Sequence, residues 1–227
     1  MCSLESVLTC GFELVPEVFD GQRIDFTLEE IARLSPVRTR AGLRHALRLE
    51  PVLEIANDPS LLSIASRILG PGAFPYRATL FDKSPASNWL VVWHQDTALP
   101  IRERANIPGW GPWSIKDGIA YAHAPADALS EVLALRVHLD DSTTHNGPLK
   151  VLPQTHHLGI LCDDRLQELA KGIPAVECVC PKGGVVAMRP LIVHASSKSH
   201  NERPRRVLHI EYAASEFIAS PLRLALG

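Results

Sequence analysis

From residue 73 to residue 213 the chain is a succession of short apolar and alternating runs. They fall at 74–82, 88–94, 118–124, 132–140, 148–152, 175–180, 184–188, 191–194 and 205–213, and each has the length and residue types of a strand. Turn residues separate most of them: Gly70-Pro71-Gly72, Asn146-Gly147-Pro148, Pro181-Lys182-Gly183-Gly184 and Asn201-Glu202-Arg203-Pro204. Strands at this spacing predict a sandwich or jelly roll. The first third reads differently. Gly11–Pro16 is a short strand. Thr27 with Glu30 three residues on has the form of a capping box opening a helix. Residues 41–56 carry apolar side chains at helical intervals, with Pro51 interrupting or restarting the helix. Asp58-Pro59 opens a further helix that Gly70 ends. These helices are expected to cover the outer face of one sheet.

One segment breaks the rhythm. Residues 97–117 hold three prolines, two glycines and two tryptophans. They predict an ordered irregular loop beside a cavity, pinned by Trp110 and Trp113. No repeat or linker divides the chain, so 1–227 is expected to be a single domain, helical to about residue 70 with a β core over about 73–215.

Composition narrows the function classes. Hydrophobic residues at 46% and charged residues at 21% are globular values. The net charge of −2 carries no electrostatic footprint for nucleic acid. The longest uncharged stretches, 84–95 and 151–162, are 12 residues each, too short to span a bilayer. Five irregularly spaced cysteines and an N-terminus without a signal-peptide pattern point to the cytoplasm. The expected partner is a small molecule, with monomer and homodimer both open.

Chemistry begins at Trp93-His94-Gln95-Asp96. Residues i and i+2 of a strand share a face, so His94 and Asp96 aim a nitrogen and an oxygen ligand at one point. His194, at the end of a later apolar strand, is the candidate third ligand. Two imidazoles and a carboxylate on one face of an iron leave positions for cosubstrate, water and oxygen. An H-x-D pair alone also describes a surface strand end. Arg205 follows His194 by 11 residues, and a hairpin of that length returns it toward the same cavity. There its guanidinium would grip a carboxylate; otherwise Arg203, Arg205 and Arg206 form a solvated turn.

Three segments carry a family resemblance: Phe81-Asp82-Lys83 through Asp96; Leu139-Asp140-Asp141 through Asn146-Gly147-Pro148-Leu149 to Pro153-Gln154-Thr155-His156-His157-Leu158-Gly159; and Gly183-Gly184-Val185 through His194 to Arg205. Together the chain resembles the phytanoyl-CoA dioxygenase family of iron(II)/2-oxoglutarate oxygenases, departing from it at Gln154-Thr155, where the family usually has Gly-Ser. The resemblance implies a double-stranded β-helix (jelly roll, cupin-like), mainly β with N-terminal helices packed on one sheet. It implies His94, Asp96 and His194 as iron ligands, Arg205 on the distal carboxylate of 2-oxoglutarate, and Ser196 assisting it. O2 is the other cosubstrate. Related halogenases have a small residue at the carboxylate position, so Asp96 implies hydroxylation or another oxidation rather than halogenation. Arg77 and Lys83 are candidates for contact with 2-oxoglutarate or an anionic substrate, and Trp110 and Trp113 for the substrate entrance. A cupin-like metalloenzyme without 2-oxoglutarate and a non-catalytic ligand-binding jelly roll are the alternatives. His123, His138 and His209 read as hydrogen-bonded core or rim histidines, His156-His157 as a structural pair, and Cys178 and Cys180 as buried thiols.

Overall fold

The computed structural model describes residues 4–34, 42–84, 87–200 and 203–226. Residues 1–3 of the N-terminal reading, Ala41 of the 41–56 helix, and Asn201 and Glu202 of the last turn lie outside these. The N-terminal part contains α1 (Glu5–Thr9), β1 (Phe12–Val15), α2 (Gly21–Arg33), β2 (Gly42–Leu43), α3 (Glu50–Ala56) and α4 (Pro59–Leu69). The β part follows with β3 (Phe74–Lys83), β4 (Val91–His94), β5 (Ala98–Ile101), β6 (Trp113–Lys116), β7 (Ile119–His123), α5 (Ala126–Ser130), β8 (Val132–His138) and β9 (Leu149–Leu152). After α6 (Asp163–Gly172) come β10 (Val176–Cys178), β11 (Val185–Met188), β12 (Val193–Ser196), β13 (Arg205–Ala213) and a small hairpin of β14 (Phe217–Ala219) and β15 (Leu222–Arg223).

Two antiparallel sheets form the core. One has the order β1-β11-β8-β13-β3-β2 and the other β10-β9-β12-β4. In sequence, β3, β8, β11 and β13 of the larger sheet interleave with β4, β9, β10 and β12 of the smaller, which is the winding of a jelly roll. The larger sheet is buried on both faces, and its period of 2 sorts the side chains. Leu208, Ile210 and Tyr212 of β13, Ala78 and Leu80 of β3, and Leu133, Leu135 and Val137 of β8 join Ile24, Ile31, Val52, Ile55 and Leu61 of the helices in one apolar cluster. The helices therefore cover that sheet, as expected. The opposite face carries Arg77, Thr79, Phe81, Arg136, Arg205 and His209 toward a cavity.

Some local expectations need correction. The helix at Thr27 starts earlier, at Gly21, because Asp20 caps it by accepting from the Arg23 amide at 2.7 Å. Thr27 is buried in mid-helix and donates its hydroxyl to Arg23 O. The 41–56 stretch is a two-residue strand, a 3₁₀ turn and then α3, with Pro51 in its first turn; proline restarts the helix because the first turn leaves its amides unpaired. The 97–117 segment is irregular only over 102–112. Its ends form β5 and β6 and pair on either side of β7, and the edge position of β5 accommodates Pro100. The strand expected at 191–194 is displaced to 193–196, since Ile192 closes a turn onto Arg189 O. No helix among the described residues is long and apolar enough to cross a membrane.

Candidate active site

The β4 and β12 strands pair so that His94 and His194 are direct cross-strand partners. Asp96 lies just beyond the end of β4, where its amide donates to Pro190 O at 2.9 Å. The two imidazole rings stand 4.1 Å apart between centroids. Nε2 of His94 and of His194 lie 3.8 and 3.6 Å from the Asp96 carboxylate oxygens. One ligand atom from each of the three residues falls within 4.8 Å of the others, close enough for one ion to touch all three. Both imidazoles hold the same tautomer. Nδ1–H of His94 donates to Val92 O, and Nδ1–H of His194 to Ile192 O, each at 2.9 Å. That leaves each Nε2 lone pair facing the common point, the orientation metal-binding histidines need.

Gln95, between the two ligands in sequence, points the opposite way, as alternation requires. Its amide donates to Gly159 O and Leu191 O at 2.8 Å each and accepts from the Leu161 amide at 2.9 Å. This clamp fixes the peptide that carries Asp96. Burial and the neighbouring His94 pull the pKa of His194 down to about 4, against the attraction of Asp96. Burial alone would raise Asp96, but His194, His209, His94 and Arg77 together hold it well below the usual carboxylate range. Both groups are therefore in their metal-binding protonation states near neutral pH.

The cavity in front of this triad has a volume of 190 Å³. Arg205 and Ser196 line it. Arg205 is 4% exposed, opens β13, and donates from Nε to Asn146 O at 3.2 Å, while its Nη1 has no partner. The Asn146-Gly147-Pro148 turn thus steers the guanidinium. Asn146 is itself held, accepting from the Thr143 amide and donating to Asp141 O. Lys83 pairs across the sheet with Arg205 and donates to Ser196 Oγ at 2.7 Å and Ser197 O at 2.6 Å. Burial and the Arg205 and Arg136 charges pull its pKa to about 7. An unpartnered guanidinium nitrogen beside a hydroxyl and an amine is a ready carboxylate site.

Arg77 also reaches the cavity, but Glu211 already binds it in a two-point ion pair, and Tyr76 donates to the same carboxylate. Trp110 and Trp113 are not on the wall of this cavity. They pack against the apolar cluster of Leu99, Ile101, Ala122 and Leu224, with Arg104 over the Trp113 ring. His123 bonds Thr97 Oγ1 and His209 bonds Arg136, as core and rim histidines do. His138 departs from that pattern: it is buried with neither ring nitrogen partnered, and burial pulls its pKa to about 3. His156 lies half-buried against Leu8 O, away from the triad. Cys178 and Cys180 are buried free thiols pushed up to about 12 by burial. Arg136 and Glu211 escaped the sequence reading. Only strand register reveals that each of them faces inward.

A jelly roll holding two histidines and a carboxylate around one point, with a buried guanidinium lining the same cavity, defines a non-heme metal oxygenase architecture. Residues 21–207 match the phytanoyl-CoA dioxygenase (PhyH) family, and the chain belongs to it. A protein named L-proline trans-4-hydroxylase from Streptomyces griseoviridis is 28% identical over 68% of this chain, and the match spans 59% of that protein's length. A protein named ectoine dioxygenase from Bordetella parapertussis is 23% identical over 96% of the chain and 76% of its own. The crystal structure of AviO1 from Streptomyces viridochromogenes Tue57 superposes with a TM-score of 0.67, covering 93% of both chains at 22% identity.

Proposed function

We propose that this chain is an iron(II)/2-oxoglutarate-dependent dioxygenase that hydroxylates a small molecule. The observation that carries the reading is the convergence of His94, Asp96 and His194 within 4.8 Å. The donor set fits iron(II): two neutral imidazoles with their outer N–H groups engaged and one ionised carboxylate on one face. Asp96 supplies the carboxylate whose place a small residue takes in related halogenases, which favours hydroxylation. When bound, iron(II) with 2-oxoglutarate and O2 supplies oxygen-atom transfer to a C–H bond, with succinate and CO2 as the other products.

The chain's own residues bind and orient. Arg205 takes the distal carboxylate of 2-oxoglutarate through the face that carries the unpartnered Nη1. Ser196, beside Lys83, adds a hydroxyl. His194 and Arg205 are buried, while His94 and Asp96 keep part of their surface exposed on the approach to the metal-facing point. Arg77 is itself neutralised by its ion pair with Glu211. Trp110 and Trp113 pack against the cluster beneath the β5–β7 sheet and do not line this cavity. A cavity of 190 Å³ and relatives named for L-proline and ectoine favour a substrate of amino-acid size. We take 1–227 as one oxygenase domain. The four cysteines among the described residues are free thiols, which favours the cytoplasm. His94→Ala and His194→Ala are expected to abolish succinate formation while leaving the fold intact. Succinate formation that survives rigorous chelation would refute the reading.

A further inference from the structure

We propose that Arg136 receives a carboxylate of the primary substrate, so that the enzyme acts on small carboxylic acids. The inference rests on the function proposed above and names the substrate class of that site. Arg136 stands on β8 directly across from His209 on β13, on the wall of the cavity and 8% exposed. Its Nη1 donates to Nδ1 of His209 at 2.9 Å. Its Nε has no partner, and its guanidinium carbon lies 5.5 Å from the centre of the Phe81 ring. No carboxylate among the described residues pairs with it.

The other cations on this face are accounted for. Arg77 is held by Glu211. Lys83 is spent on Ser196 and Ser197, and as an amine it can shed its charge. Arg205 faces the distal carboxylate of 2-oxoglutarate. The two charges of iron(II) are balanced by Asp96 and the cosubstrate's 1-carboxylate. One positive charge, on the buried Arg136, then remains unpaired. A guanidinium does not deprotonate there, and a buried unpaired charge is strongly unfavourable. A structural role is poorly served by this arrangement, because a single hydrogen bond to a neutral imidazole gives little in return. A second anion brought by the substrate completes the set, and the neutral Phe81 face and His209 fix its approach.

The test uses anaerobic iron-loaded protein saturated with 2-oxoglutarate. Calorimetry measures binding of acetate, benzoate and L-proline and of their carboxamides to wild type, Arg136→Met, Arg136→Lys and Arg205→Met. At least one carboxylate is expected to bind wild type, with its amide at least about tenfold weaker, the scale of one charge-assisted bond. Arg136→Met should lose that binding by about the same factor, keep its 2-oxoglutarate affinity within about twofold, and melt no lower than wild type. Arg136→Lys should recover part of the carboxylate binding. Arg205→Met should instead lose 2-oxoglutarate. The proposal falls if no carboxylate binds, if carboxylates bind Arg136→Met as tightly as wild type, or if that variant melts several degrees lower. It falls equally if 2-oxoglutarate affinity drops as far as in Arg205→Met, which would assign Arg136 to the cosubstrate. Failure of wild type to bind 2-oxoglutarate at all would remove the underlying function as well, and is recognisable as such.

Discussion

Replacing Arg205 by methionine separates what the residue does for the fold from what it does for the ligand. Burial and the Arg136 charge pull its pKa from its usual value down to about 10. The folded chain thus carries this charge at a penalty of roughly 3 kcal/mol at pH 7, below both values. Methionine relieves that penalty and loses the hydrogen bond from Nε to Asn146 O, worth about 1 kcal/mol. The ligand-free variant should therefore be more stable by on the order of 2 kcal/mol, or roughly 4–8 °C in melting temperature for a chain of this size. With 2-oxoglutarate the order changes. Two lost charge-assisted bonds at about 1.5–3 kcal/mol each weaken binding by roughly 10²- to 10⁴-fold. At 100 times the wild-type Kd, wild type gains about 2.7 kcal/mol and the variant at most about 0.4. Thermal melts of metal-loaded anaerobic protein with and without 2-oxoglutarate read both effects. A variant that melts below wild type without ligand, or that 2-oxoglutarate stabilises as much as wild type, would refute the reasoning.

Other outcomes follow from the same geometry. His138 and His194 have pKa values pulled down to about 3 and about 4, and His209 well below its usual range. Unfolding lets all three take up protons below about pH 6.5, so metal-free stability should fall as pH drops from 6.5 toward 4. The slope reaches about 4 kcal/mol per pH unit for three groups, and His138→Leu should flatten it by about a third; melting that is level across that range would contradict this. Gly147 has φ +67°, and a Cβ there would sit 2.3 Å from Ser197 O. Gly147→Ala should therefore cost at least about 1–3 kcal/mol in denaturant unfolding, and an unchanged midpoint would show the turn to be looser than described. Gln95→Leu removes the three-bond clamp behind Asp96 and should weaken iron binding by about tenfold or more, measured against a competing chelator; unaltered affinity would mean that the clamp does not orient Asp96.

Much of this was legible in the chain. The alternation within 132–140 and 205–213 exposed strands in nearly the right places, because each must present one face to the helices. His94 and Asp96 were visible as a two-residue repeat, and Arg205 as a return after a hairpin. The local cap at Thr27 misled because Asp20, seven residues earlier, offers a competing cap with good geometry. The proline and glycine density of 97–117 hid two short edge strands, whose formation depends on β7 arriving between them. Arg136 and Glu211 were invisible for a different reason. A charge within a strand reads as solvent-facing until cross-strand register shows it pointing at other polar groups.

The most direct measurement is an anaerobic titration of 2-oxoglutarate into iron(II)-loaded protein, following the charge-transfer absorption that appears only when the keto acid chelates the iron. Wild type should saturate at one 2-oxoglutarate per chain, and His94→Ala and His194→Ala should show no band. An undiminished band in His194→Ala, or none in wild type, would contradict a metal site built from strands β4 and β12.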